Sequence, residues 1–452
     1  MIQFLLAAPH SGSGKTVMTC AMLALLKKRG LNPCTFKCGP DYIDPMFHRA
    51  VLGLPSHNLD LFFSDEDRVR RLYGRYAQGC GAAVVEGVMG YYDGLGGTTA
   101  RASAWQLADT LRLPALLVLR PKGASLTLAA QVKGLQSFRS PSRLAGILLN
   151  DCSPMLARTL GPMLEAETGL PVLGSLPHLP EAAFESRHLG LYTAGEITDL
   201  KGRIDRCAAE LEKALDWEKF CALCDGPAPA GAAVPEQGAT VTIAVARDEA
   251  FCFTYEETLD ALRAAGAELV FFSPLGDGSL PEGIGGLYLP GGYPELYARA
   301  LSGNGAMLAA VRRAVAGGLP TVAECGGFLY LGRSLEGADG EVYPMAGVLP
   351  GQGQRREKLV RFGYASLRAR ADSLLLRAGE QIPVHEFHYW DSTANGCDFT
   401  ATKPLTGRCW DCGFGSKSLY AAFPHLYFDE LLSRRFVQAA KTYQEESAYE
   451  TF

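Results

Sequence analysis

No apolar run in this 452-residue chain reaches the roughly 18–20 residues that a membrane-spanning helix requires. The opening segment, MIQFLLAA, is apolar but lacks the basic stretch of a secretory signal. It runs straight into a glycine-rich loop, so it reads as a buried first strand. A surplus of positive charge is missing too. Lys and Arg number 43 against 48 Asp and Glu, a formal net charge of -5. Nucleic acid, which binds through neutralisation of its phosphates, is therefore not an expected partner, and neither is a membrane. A regular cysteine framework is absent as well: the 13 cysteines are odd in number and irregular in spacing. A reduced, cytoplasmic setting is the simplest expectation. The two CxxC spacings, Cys221/Cys224 and Cys409/Cys412, lie too far apart in the chain for a zinc module, and buried or incidental thiols are the better reading.

The chain holds 48% hydrophobic and 20% charged residues, ordinary for a globular protein, and is too long for one core. Short apolar runs alternate with amphipathic helical patterns, the signature of βα units on a mostly parallel sheet. Strands are predicted at 2–7, 82–86, 115–119, 144–149 and 172–176, with a helix over 17–29 that Gly30 stops. A helical pattern over 200–224 closes the first domain. The stretch DGPAPAGAAVPEQG, from Asp225, has almost no large apolar residues and reads as a linker. A second α/β domain then begins, with strands at 241–246, 268–272, 286–289 and 320–323 and a helix over 254–265. The expected organisation is 1–224, a linker at 225–239, and 240–452.

Ser11-Gly12-Ser13-Gly14-Lys15-Thr16 lies between the first strand and the first helix, the context in which a P-loop has physical meaning. Backbone N–H groups of Gly12, Ser13 and Gly14 and the helix N-terminus would cradle a polyphosphate. Lys15 would neutralise the terminal phosphates, and the Thr16 hydroxyl would serve Mg²⁺. The strict pattern asks for glycine where this chain has Pro9, but the Gly-Lys-Thr centre is intact. The alternative is a plain glycine turn ahead of a helix. Asp41, Asp44, Glu86 and Asp93 lie at or just beyond predicted strand ends, where ligands of open α/β sheets bind, and several carboxylates there have an obvious use in holding Mg²⁺. Asp41, Asp44 and Asp93 also suit plain turns.

In the second domain Cys325 follows the strand at 320–323 and precedes a helical pattern. This strand-turn-helix elbow is expected to expose the thiol at a helix N-terminus and favour the thiolate. The Gly326 N–H and the loop Gly291-Gly292 are candidates for an oxyanion hole. His425, expected at the end of a late strand, is the candidate base. The alternative for Cys325 is a buried structural thiol.

Together the segments APHSGSGKT, FKCGPDYIDPMFH, NLD, EGVMGYYDG, AFCFTYEE, FFSPL, LPGGYPELYA, ECGGFLYL and HEFHY resemble the cobyrinic acid a,c-diamide synthase family, from residue 9 to about residue 389. The resemblance implies an α/β fold: a P-loop NTPase-like, mostly parallel sheet domain similar to dethiobiotin synthetase, then a class I glutamine amidotransferase-like α/β domain. It implies ATP and Mg²⁺ as cofactors, with a corrinoid tetrapyrrole and glutamine as partners. Lys15 and Thr16 then bind ATP and Mg²⁺, Lys37 assists the phosphates, and Thr16, Asp44 and Glu86 are the implied metal ligands. Asp41, Asp44 and Asp93 match positions that handle the phosphorylated intermediate. Cys325 and His425 match the glutaminase pair.

The family commonly shows His-x-His here, but this chain has Tyr427 in the second place. An acid just after the histidine, usual in class I glutaminases, is missing, and Asp429 lies four residues on, so a Cys-His dyad is expected. His385 and His388 of HEFHY are assigned either to a domain interface or corrinoid side, or to a structural pair. A sheltered path for ammonia between the domains is expected. Hydrogenobyrinic acid and nickel sirohydrochlorin remain alternative substrates, and a non-catalytic P-loop switch is the alternative of a different class. The oligomeric state is left open, a homodimer being one option.

Overall fold

The computed structural model describes the chain apart from residues 181–185, 188–189, 192–198, 232–237 and 450–452. It divides into two compact units, Met1–Ala233 and Val234–Phe452.

In the first unit seven strands form one sheet: β1 (Ile2–Ala7), β2 (Pro33–Cys38), β3 (Ser56–Leu59), β4 (Ala82–Glu86), β5 (Ala115–Leu119), β6 (Leu144–Asn150) and β7 (Val172–Leu176). Their order is β3-β2-β4-β1-β5-β6-β7, and every neighbouring pair is parallel. β1, β4, β5 and β6 are mostly Ala, Val, Leu and Ile because helices cover both faces, leaving no solvent side to call for polar alternation. Chain order reverses around β1, so the loops after β1 and β4 open at the carboxyl-end crevice where such sheets bind ligands. The first helix, α1 (Lys15–Lys28), begins two residues earlier than its apolar spacing predicts and buries Met18, Ala21, Met22 and Leu25.

The helical pattern over 200–224 breaks into Leu200–Ala214 and Trp217–Cys224, because the Asp216 carboxylate accepts the Lys219 N–H and starts a new helix. A two-residue hairpin, β8 (Ser186–Arg187) with β9 (Gly190–Leu191), lies between β7 and these helices. Part of the expected linker is tied down. The Met1 ammonium pairs with Asp225 at 2.7 Å, and Gln3 Nε2 donates to Pro227 O at 2.9 Å. Residues 232–237 of that linker lie outside the described residues.

The second unit is built on β10 (Val241–Ala246), β11 (Ala267–Phe272), β12 (Gly286–Leu289) and β13 (Thr321–Glu324). The chain then runs through β14 (Ser334–Glu336), β15 (Val342–Pro344), β16 (Gln352–Arg355), β17 (Arg361–Ala369), β18 (Gln381–His388), β19 (Trp390–Ser392), β20 (Phe399–Thr402), β21 (Cys409–Cys412), β22 (Phe414–Gly415), β23 (Leu419–Ala422) and β24 (His425–Leu426). The main sheet has the order β11-β10-β12-β13-β23-β22. Two further sheets, β15-β14-β16-β19 and β21-β20-β17-β18-β24, were not anticipated. The second of these is antiparallel throughout and shares a core with the main sheet, in which Val384, Leu367 and Leu426 join Tyr288 and Val322.

The expectation that His425 ends a strand is corrected. The strand of the main sheet stops at Ala422, Phe423-Pro424 turn the chain, and His425 opens β24 on the antiparallel sheet. Proline cannot donate to a ladder, which makes residue 424 the break between the two sheets.

Candidate functional site

In the first unit the glycine-rich loop forms a cradle at the start of α1. Gly14 caps α1 with φ of 91°, a conformation few other residues adopt, and a Cβ there would lie 2.0 Å from Asn150 Nδ2. Asn150, at the end of β6, donates to Ser13 O at 3.0 Å and braces the loop. No side chain caps α1, so its first-turn N–H groups are left to an anion. The Lys15 ammonium donates to Met89 O at 2.6 Å. Burial, reinforced by the Lys37 charge, brings its pKa down to about 8. As pH rises through that value the free protein loses this positive charge, and with it attraction for phosphate. The Kd for ATP is therefore expected to weaken by about tenfold between about pH 7 and about pH 9. Calorimetric titration measures this, and a flat profile would remove Lys15 from the nucleotide contact.

Beside the cradle, β2 and β4 pair in the register Lys37↔Glu86, so the fold itself sets ammonium against carboxylate. Lys37 Nζ also contacts Asp44 Oδ2, and it lies 3.1 Å from Glu86 Oε1 and 3.7 Å from Asp41 Oδ2. Thr16 Oγ1 donates to Glu86 Oε1 at 2.8 Å and sits 3.5 Å from Asp44 Oδ1. Burial, with the Glu86 charge, pushes Asp44 well above the usual carboxylate range. For Glu86 burial acts in the same sense, but Lys37, His48 and Thr16 together hold it below that range. Two buried carboxylates thus share one buried ammonium.

The donor set of one hydroxyl and two carboxylates is all oxygen, which suits Mg²⁺. Among the described residues no group of three or more His, Cys, Asp or Glu is arranged to cage a metal. A magnesium ion held here would therefore take much of its shell from water and phosphate oxygens, as this ion usually does.

Asp41 and Asp93 have structural duties. Asp41 Oδ1 accepts from Ile43 N at 2.8 Å, at the start of the helix Ile43–Leu52, and Asp93 Oδ2 accepts from Gly90 N at 2.9 Å. Asp41 still reaches Lys37, and the Asp93 charge acts on Lys15. His48 was missed from the sequence. Its Nδ1 lies 3.1 Å from Ser56 Oγ and its Nε2 lies 3.4 Å from Glu86 Oε2. Its spacing of four from Asp44 on one helix was the available signal.

In the second unit Cys325 has φ 48° and ψ -100°, a strained conformation costing on the order of 1–3 kcal/mol for a residue with a side chain. Hydrogen bonds from Cys325 N to Ala422 O (2.9 Å) and from Leu329 N to Cys325 O (3.0 Å) impose it. The elbow is therefore real, but the expectation of an exposed, thiolate-favouring cysteine is corrected. Cys325 is 7% exposed. Burial, and then the carboxylates of Glu295 and Glu386, push its thiol well up, outweighing a smaller pull from the Gly326 N–H. The helix that follows, Gly326–Leu331, is too short to reverse this. Burial and the two carboxylates both favour the neutral thiol.

The expected glycines converge. A Cβ on Gly326 would lie 3.0 Å from Gly292 N, and one on Gly291 would lie 2.4 Å from His425 Cε1. Register aligns Glu324 with Ala422, three residues before His425, so the elbow and the histidine arrive from adjoining strand ends. Glu324 Oε2 lies 3.7 Å from His425 Nδ1 and accepts the Tyr288 hydroxyl at 3.3 Å. Tyr427 packs edge-on against Tyr255 at 5.2 Å, and Asp429 caps the C-terminal helix by accepting Leu432 N at 2.8 Å.

His385 is the register partner of His425 and is pushed down to about 3, first by burial and then by His425 and Lys403, so it is neutral. His388 bonds Trp390 O and Glu386 and stacks on Phe423 at 3.9 Å. Within the second unit these two histidines pack and orient their neighbours.

Comparison with known proteins bears on both sites. Residues 4–190 match the CobQ/CobB/MinD/ParA nucleotide binding domain, and residues 242–431 match the CobB/CobQ-like glutamine amidotransferase domain. The cobyrinate a,c-diamide synthase of Caldanaerobacter subterraneus is 36% identical over 430 residues, covering 94% of each chain. The chain belongs to the cobyrinate a,c-diamide synthase family. Its Salmonella typhimurium member is 38% identical over 435 residues, 94% of this chain and 95% of that one. The Gloeobacter violaceus member is 42% identical over 389 residues, 85% of each. The family thus spans both units, and a nucleotide-binding unit precedes a glutamine amidotransferase unit. Among the described residues no helix is long and apolar enough to cross a membrane.

Proposed function

We propose that the protein uses ATP and glutamine to amidate the a- and c-acetate side chains of cobyrinic acid in cobalamin biosynthesis. The observation that carries this reading is that relatives of that name align across nearly the whole chain; the glycine-rich loop at the start of α1 and the strained elbow at Cys325 support it. In the second unit His425 takes the proton of Cys325 as sulfur attacks the side-chain amide of glutamine. Gly326 and the Gly291-Gly292 loop receive the oxyanion, His425 returns the proton to the leaving ammonia, and water cleaves the thioester to glutamate.

In the first unit Gly12, Ser13, Gly14 and Lys15 hold the triphosphate. Lys37 and Lys15 draw charge from the γ-phosphate as a ring carboxylate oxygen attacks phosphorus and ADP departs. Ammonia then adds to the acyl phosphate and phosphate leaves. The sequence repeats at the second acetate. Magnesium, held through Thr16, Asp44 and Glu86, would supply charge neutralisation on the phosphates. Asp41 and Asp93 keep the loops around the intermediate in place through the turns they cap.

Incubation with cobyrinic acid, ATP, Mg²⁺ and glutamine tests this. Mass spectrometry is expected to show two successive exchanges of hydroxyl for amino. No product from cobyrinic acid, with turnover of hydrogenobyrinic acid or nickel sirohydrochlorin instead, would overturn the substrate assignment.

A further inference from the structure

We propose that Glu324 is the positioning residue of His425, its carboxylate holding the imidazole at Nδ1 so that Nε2 is left for the Cys325 thiol. The inference rests on reading Cys325 and His425 as the glutaminase pair. Both positions after the histidine where an acid would be sought have other duties: Tyr427 packs against Tyr255, and Asp429 caps a helix. Glu324 instead approaches from the nucleophile's own strand. The pleat of β13 turns Val322 and Glu324 to one face and Ala323 to the other. Val322 belongs to the core that contains Tyr288 and Tyr420, so the carboxylate reaches His425 from within an apolar cluster.

A fully buried carboxylate is costly unless charged or donor groups face it. Those facing Glu324 are the Tyr288 hydroxyl, the Leu426 N–H and His425, with His385 neutral beyond the histidine and Tyr420 and the Cys325 thiol alongside. Burial pushes the Glu324 carboxyl up, and His425, the Leu426 N–H and the Tyr288 hydroxyl draw it back. A carboxylate so placed beside the imidazole can stabilise the imidazolium that forms when the thiol gives up its proton. At 3.7 Å the pair is wider than a hydrogen bond, a separation that commonly tightens once substrate is bound.

Glu324→Gln keeps the shape and removes the charge. Loss of the equivalent charge in a tight triad costs about 10⁴ in kcat, and the wider pair here sets the expected fall in glutamine hydrolysis at about 10- to 100-fold. KM for glutamine is expected to change by less than about threefold, since the carboxylate does not touch substrate. A carboxylate favours the proton-bearing form of the imidazole it faces. The acid limb of the pH profile should therefore move to lower pH by at least about half a unit in Glu324→Gln, and in the same direction by less in Glu324→Asp. Ammonia-driven synthesis, measured in the same preparations, should be unchanged and reports an intact fold.

An acid limb at the wild-type position in both variants overturns the proposal, however far kcat falls. If Glu324→Gln loses ammonia-driven synthesis through misfolding, the limb of Glu324→Asp decides by the same criterion. Glutamine hydrolysis that survives in Cys325→Ala overturns the underlying reading of the pair. Its loss there, with unmoved limbs in the Glu324 variants, overturns only the role of Glu324.

Discussion

Cys325→Ala is expected to lower glutamine-dependent amidation by at least about 10³-fold while leaving ammonia-dependent amidation near the wild-type rate. The thiol is the only group in the elbow that can carry the glutamyl thioester, so no neighbouring side chain can replace it. The fold should tolerate the change. Alanine fits within the volume of the cysteine, and the strained backbone is fixed by the hydrogen bonds that residue 325 donates to Ala422 O and accepts from Leu329 N rather than by the sulfur. The assay compares product formed from glutamine and from ammonium salts at matched ATP. Equal loss from both nitrogen sources would mean that the two units do not work as separate half-sites. Residual glutamine use at the wild-type rate would remove Cys325 from the chemistry.

Lys15→Ala is expected to reduce synthesis from either nitrogen source by about 10²- to 10³-fold, the usual cost of losing one preorganised charge on a transferring phosphoryl group. Alanine is the strongest helix former, so α1 should survive the change. Glutamine hydrolysis by Cys325 belongs to the other unit and is expected to persist. The measurement pairs ADP release with product formation. Synthesis by the wild-type protein without ATP would contradict the acyl-phosphate route. Retained ATP-dependent synthesis in the variant would move the phosphate contact away from Lys15.

The glycine loop and the elbow that carry these two residues were legible because each is a local motif whose geometry follows from neighbours in sequence. A glycine-rich turn between strand and helix places a lysine at a helix start, and a strand-turn-helix elbow places a cysteine likewise. The protonation state of Cys325 was not legible. A helix N-terminus argues for the thiolate, but burial and the carboxylates of Glu295 and Glu386, distant in sequence, decide the opposite. His425 was expected to end a strand but opens one, since which sheet takes up the chain after Pro424 depends on β18, about forty residues earlier.

By itself the sequence determined the two α/β units, most strands of their two main sheets, the glycine-rich loop and the elbow, because apolar periodicity and glycine placement are local properties of the chain. Tertiary structure alone decided which distant side chains meet. Lys37 faces Glu86 through the pairing of β2 with β4, His48 reaches Glu86, Asn150 braces Ser13, and Glu324 reaches His425. Strand order and register set those encounters, and they depend on the packing of whole sheets rather than on any stretch of residues read alone.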